Sequence, residues 1–136
     1  MQIEDNSFRN KVQKYYHHTA NSYRRWGLDP ENSELYSLHF GLTDGMDELT
    51  SDDNHNAIKR LTTEVLHRAS IKEGMTILDA GCGTGTFAYQ VTEDYPSTKV
   101  FGVNVSPDQL ECAVQSNSSN QENPYFSIQD YHQLSF

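Results

Sequence analysis

The chain has 136 residues, with 10 Lys and Arg against 19 Asp and Glu, for a net charge of −9. That length suits a single domain of roughly 100–150 residues, and the acidic balance argues against a nucleic-acid backbone or an anionic membrane as the main partner, because both select positive surfaces. No apolar run approaches the roughly 20 residues of a membrane span. The polar, acidic start lacks the apolar stretch of a secretory signal, and Cys82 and Cys112 make no disulfide framework. Together these features point to the cytoplasm.

Residues 1–27 read as helical. Phe8, Val12, Tyr15, Tyr16, Tyr23 and Trp26 recur at spacings of three, four or seven, near one face. Gly27 ends this helix and Asp29-Pro30 opens a turn. Residues 28–54 read as irregular, with one short apolar stretch from Leu35 to Gly41. An amphipathic helix is expected over Asn54–Ala69, its stripe formed by Ile58, Leu61, Val65 and Leu66 with Ala57 and Ala69 beside it.

From residue 71 the pattern changes. Met75–Ala80 reads as a buried strand, Gly81–Gly85 as a glycine-rich turn, and Thr86–Tyr95 as a helix with Phe87, Ala88 and Val91 inward. Pro96 stops that helix, and Lys99–Val105 is a second strand. Ser106 suits an N-cap and Pro107 a first helical position, so a further helix runs through Leu110, Ala113 and Val114. After a polar loop at Asn117–Asn123, Tyr125–Gln129 is a third strand. Strand–helix–strand–helix–strand is half of a doubly wound α/β sheet with right-handed crossovers. The expected organisation is an N-terminal helical lid, residues 1–70, and a partial Rossmann-like domain, residues 71–136.

Asp79-Ala-Gly81-Cys-Gly83-Thr-Gly85 lies between the first strand and the helix after it. Open α/β sheets bind ligands at this place, and glycines let a ligand approach the backbone. Three glycines at spacing two after an Asp exceed what a tight turn needs. A dinucleotide fingerprint calls for Gly or Ala where Thr86 stands, and a phosphate-binding loop calls for a Lys that is absent. The remaining pattern resembles motif I of the class I S-adenosylmethionine-dependent methyltransferases. That resemblance implies that Gly81, Cys82, Gly83 and Gly85 pass close to the methionine part of the cofactor, with Asp79 near its ammonium.

Gly102-Val-Asn-Val-Ser106-Pro-Asp-Gln109 resembles the "GVTLSxxQ" or "GLNxSxxQ" segment of one branch, which contains cyclopropane fatty acid synthases and sterol and isoprenoid C-methyltransferases. There an amide replaces the usual ribose-binding acid, which implies a ribose site at Asn104, Val105 and Gln109; capping of the next helix is the alternative role for Asn104. Ile128-Gln-Asp130-Tyr131 resembles the "GDxxxLPF" segment and implies that Asp130 and Tyr131 lie at the adenine. Tyr15-Tyr16 through Trp26-Gly27 is similar to the "YYDxxxxxYxxxWG" lead, with His17 in place of its Asp, and His39-Phe40-Gly41 to the "HFG" loop that lids the cofactor. The resemblance therefore adds Tyr16, His39 and Phe40 to the cofactor site, while Tyr23 and Trp26 read as packing.

A complete fold of this type has seven strands, so the resemblance implies that strands four to seven, much of the acceptor pocket and often a catalytic carboxylate lie outside this sequence. His17, His18 and His39 are the base candidates within it. The expected function is methyl transfer from S-adenosylmethionine, with S-adenosylhomocysteine as product, onto a carbon of an isoprenoid or lipid-like small molecule. The alternative is a non-catalytic S-adenosylmethionine-binding subunit or remnant. The unpaired first strand predicts a homo-oligomer or a complementary methyltransferase chain as partner. No nucleic-acid partner, no membrane insertion and no metal are expected.

Overall fold

A computed structural model describes residues 6–28, 36–45, 50–116 and 123–135. The expected turn at Asp29-Pro30, Leu35 of the short apolar stretch and most of the polar loop before the third strand lie outside these residues.

Helix α1 spans Asn6–Gly27. Its apolar positions do not share one environment: Val12, Tyr16, Tyr23 and Trp26 are half-buried, whereas Phe8 and Tyr15 are exposed. The helix stops where Gly27 meets the following segment. Ser37 N donates to Gly27 O at 2.8 Å, and a Cβ on Gly27 would stand 2.2 Å from Ser37 O, so only glycine permits this approach.

Helix α2, Ser51–Arg68, starts three residues before its expected position. Thr50 and Asp53 form a capping box: Asp53 N donates to Thr50 Oγ1 at 3.2 Å and Thr50 N donates to an Asp53 carboxylate oxygen at 3.1 Å. Ala57, Ile58 and Leu66 of the expected stripe are buried, but Val65 is 43% exposed.

The α/β part follows the expected order: β1 (Thr76–Ala80), α3 (Thr86–Asp94), β2 (Lys99–Asn104), α4 (Pro107–Gln115) and β3 (Tyr125–Ile128). All pairings are parallel, in the order β1-β2-β3, with Ile77 beside Val100 and Gly102 beside Phe126. The side chain of Asn123 sets the entry to β3, accepting from Val100 N and donating to Thr98 O, both at 2.9 Å. Consecutive right-handed crossovers place α3 and α4 on one face of the sheet. There Leu66, Ala88, Val91 and Val100 form the core, with Ile71, Ile77, Phe87 and Phe126 packed against it. Gly102 makes room for the Phe126 ring, which a Cβ would meet at 2.5 Å.

The opposite face is barer. Phe101 and Tyr125 stack at 5.3 Å, and Leu78 in the same cross-strand row is 41% exposed. Along β1 among the described residues, only β2 pairs. This is the open edge that the sequence predicts.

The covered face should dominate stability. Leu66→Ala, which empties the centre of the core, should cost about 2–5 kcal/mol. Thr50→Ala, which removes only a cap, should cost about 1 kcal/mol. Urea denaturation monitored by circular dichroism measures both, and equal costs would contradict this description of the core.

Candidate functional site

The carboxyl ends of β1 and β2 open into a cavity of about 550 Å³, within the usual range for small-molecule sites. Its floor is the glycine loop. Gly81 N and Cys82 N both donate to Val103 O, at 2.8 and 3.1 Å, which folds the chain back from β1 over the end of β2. Gly81 and Gly83 have φ of +85° and +57°, conformations that favour glycine. A Cβ on Gly81 would point into open space, whereas one on Gly83 would stand 2.7 Å from Leu38 Cδ1.

The segment before α2 is fastened to this loop. Thr84 Oγ1 donates to Tyr36 O, Leu38 rests on Gly83, and Leu42 N donates to Ala57 O at 2.8 Å. Helix α1 forms the opposite wall with Phe8, Arg9, Val12 and Tyr16. Positions 9, 13 and 17, one turn apart, hold the helix to the rim. Arg9 lies near enough to Asp130 to favour its ionised form, Gln13 Nε2 donates to Val105 O at 2.7 Å, and His17 Nδ1 is 2.6 Å from Asp108 of α4.

Asp79, at the end of β1, lines the cavity, and its Oδ2 is buried without a hydrogen-bond partner. Desolvation raises its carboxyl from 3.8 to about 6. Burial, with the Asp79 charge, pushes the neighbouring Cys82 thiol up to about 12, so Cys82 is a protonated, unreactive wall at neutral pH. Across the loop, Asn104 is committed within the chain. Its Nδ2 donates to Gln109 Oε1 at 2.6 Å and Gly83 O at 3.3 Å, and its Oδ1 accepts from Val105 N at 2.8 Å. These contacts lie ahead of α4 and do not cap it, and the buried hydroxyl of Ser106, the expected cap, makes no cap bond either. Beyond β3, Asp130 accepts from His132 N at 2.9 Å and His132 Nδ1 at 2.7 Å, which hold its carboxyl below the usual range.

Among the residues expected at the site, Tyr16, His39, Asp79, Gly81, Cys82, Gly83, Asn104, Val105, Gln109, Asp130 and Tyr131 line this one cavity. Phe40 and Gly85 do not. Phe40 is 80% exposed and stacks on Trp26 at 5.4 Å, because neighbouring side chains of the loop point apart. Gly85 is the left-handed N-cap of α3, and a Cβ there would meet the Phe126 ring at 2.7 Å, so its constraint is packing. The sequence reading did not place Phe8, Arg9, Val12, Leu38, Thr86, Phe87 or His132 at the site. Only the spacing of Phe8, Val12 and Tyr16, one residue per turn, signalled a shared wall. No group of three His, Cys, Asp or Glu among the described residues is placed to hold a metal, and none of their helices is long and apolar enough to cross a membrane.

These features define a Rossmann-like fold of the S-adenosylmethionine-dependent methyltransferase type. Residues 71–136 match the family model described as "Methyltransferase domain". An O-methyltransferase of Aspergillus nomiae is 37% identical over 83 residues, 61% of this chain and 36% of that protein. A geranyl diphosphate methyltransferase, solved in complex with GPP and sinefungin, superposes with a TM-score of 0.77 at 17% identity, covering 96% of this chain and 52% of that one. A mycolic acid cyclopropane synthase complexed with SAH and CTAB gives 0.67 at 26% identity, covering 93% and 42%. The chain spans about a third or less of the length of the curated relatives it matches.

The raised Asp79 carboxyl fixes a sign. Between about pH 4 and pH 6 the folded chain binds a proton that the unfolded chain has released, so stability from this group falls as pH rises through that window. Asp79→Asn should flatten that slope and stabilise the ligand-free chain at pH 7 by up to about 3 kcal/mol. Urea midpoints at pH 4, 5, 6 and 7 test this, and a slope unchanged by the substitution would refute it.

Proposed function

We propose that this chain is the S-adenosylmethionine-binding part of a methyltransferase that acts on an apolar, isoprenoid- or lipid-like small molecule in the cytoplasm. The observation that carries the reading is the unpartnered Asp79 Oδ2 beside an open glycine cradle. An ammonium would supply the missing partner, and Gly81, where a Cβ would meet nothing, leaves room for the chain that bears it. Asn104, Val105 and Gln109 would stand at the ribose, and Asp130 and Tyr131 at the adenine. When bound, the cofactor supplies an electrophilic methyl group on a sulfonium. The protein's part is to position it and exclude water. Phe8, Val12, Leu38 and Phe87 give the cavity the apolar wall that an acceptor of this kind needs.

Two acceptor atoms fit. The relative named an O-methyltransferase supports oxygen. The aromatic faces of Phe8, Tyr16 and Phe87 support carbon, because methylating an alkene leaves a cation that such faces stabilise. S-adenosylhomocysteine should bind the full chain in calorimetry at pH 7.5, and Gly81→Ala, which puts a methyl into the cradle, should weaken it at least tenfold. Affinity should fall as pH drops through about 6 and Asp79 takes up its proton; Asp79→Asn should lose that dependence and bind about 10–100-fold more weakly at pH 7.5, the range for a charged hydrogen bond. Absence of binding would overturn the reading.

The bare β1 edge and the exposed Leu78 and Tyr125 support completion of the sheet by a complementary chain or a second copy. A non-catalytic binding subunit is the reading left if binding occurs without transfer in any such assembly. Sedimentation should show a species heavier than 15.5 kDa; a compact, cooperatively unfolding monomer would refute the assembly.

A further inference from the structure

We infer that His39 is the general base of the transfer, accepting at Nε2 the proton of an acceptor hydroxyl; this rests on the methyltransferase reading above. His39 is one of the residues that line the cavity. Its Nδ1 lies 3.0 Å from Phe40 O. A carbonyl oxygen only accepts, so Nδ1 carries a hydrogen, and in the neutral ring Nε2 is left with its lone pair. Among the described residues Nε2 takes no hydrogen bond. The ring is also placed with respect to the glycine loop, because Tyr36 and Leu38, on the same segment, are fastened to Thr84 and Gly83.

The other titratable groups of the cavity are less suited. Asp79 faces the expected ammonium. Cys82 is held protonated by burial. Asp130 and His132 are bonded to each other beyond the end of β3, two strands, roughly 10 Å, from the line of β1. Arg9 is a permanent cation. Tyr16 has no described partner that would draw off its proton.

The step balances without a further reagent. The acceptor oxygen forms its bond to the methyl carbon as the methyl–sulfur bond breaks, and sulfur keeps that electron pair. The hydroxyl proton passes to His39 Nε2 and from there to solvent. A hydroxyl on an apolar, ring-sized body is the acceptor class that uses both this base and the Phe8, Val12, Leu38 and Phe87 wall.

The test uses the full chain saturated with S-adenosylhomocysteine, with 2-naphthol as the acceptor probe. Nitrogen NMR, with His39 assigned through His39→Gln, should show an unprotonated Nε2 at pH 7.5, and adding 2-naphthol should shift that resonance. A protonated Nε2 or no shift overturns the assignment. With each chain saturated by S-adenosylmethionine, His39→Gln should slow methylation of 2-naphthol about 10²–10⁴-fold. A nitro-substituted naphthol, already ionised at that pH, should narrow the loss to less than tenfold. Equal rates for the two chains count against His39. Loss of S-adenosylhomocysteine binding by the wild type would instead overturn the methyltransferase reading.

Discussion

The site depends on how the chain leaves β1. Two successive amides, of Gly81 and Cys82, converge on the single carbonyl of Val103. This reversal sets the level of the cavity floor and commits the backbone to the left-handed conformations that glycine supplies. Two of the cavity walls are fastened to it. Thr84 and Gly83 hold the segment that carries His39, and the Asn104 amide ties Gly83 to the start of α4. A shift of the reversal would therefore move both walls at once. The paired glycines consequently act on the whole site and not only where a ligand would touch them.

The α/β half was legible because its signals are local. Short apolar strands bounded by Gly74, the glycine loop and Pro96 leave little freedom in where each element starts and stops. The first turn of α2 was missed because the Thr50–Asp53 box sits in a polar, acidic run that reads as loop. The site was legible where a motif places residues beside the strand ends, as with Asp79, Asn104 and Asp130. It was not legible where a wall arises from long-range docking. Phe8 and Val12 reach the cavity only because Gln13 and His17 hold α1 across the sheet, 92 and 91 residues away in sequence. Phe40 lies off the cavity for a different reason: a motif names adjacent residues, but a loop sends adjacent side chains in different directions.

Replacing an acid with Asn104 at the end of β2 also changes the electrostatics. An acid there would place a second carboxylate beside Asp79 and make ionisation of both more costly. The neutral amide instead satisfies its neighbours through four polar contacts, to Val105, Ser106, Gln109 and Gly83. Asp79 is left as the acid of the glycine-loop floor, with desolvation alone setting its ionisation.

The stack between Trp26 and Phe40 has an optical consequence. Trp26 is the only tryptophan of the chain, and its indole lies nearly parallel to the Phe40 ring, 7° apart. Phe40 adjoins His39 on the cavity wall, so any displacement of that loop slides one ring across the other and changes how much water reaches the indole. The intrinsic fluorescence of the molecule is thus wired to the position of a single wall. A ligand that displaced this wall would be followed from that emission, without a label and without altering any residue of the site.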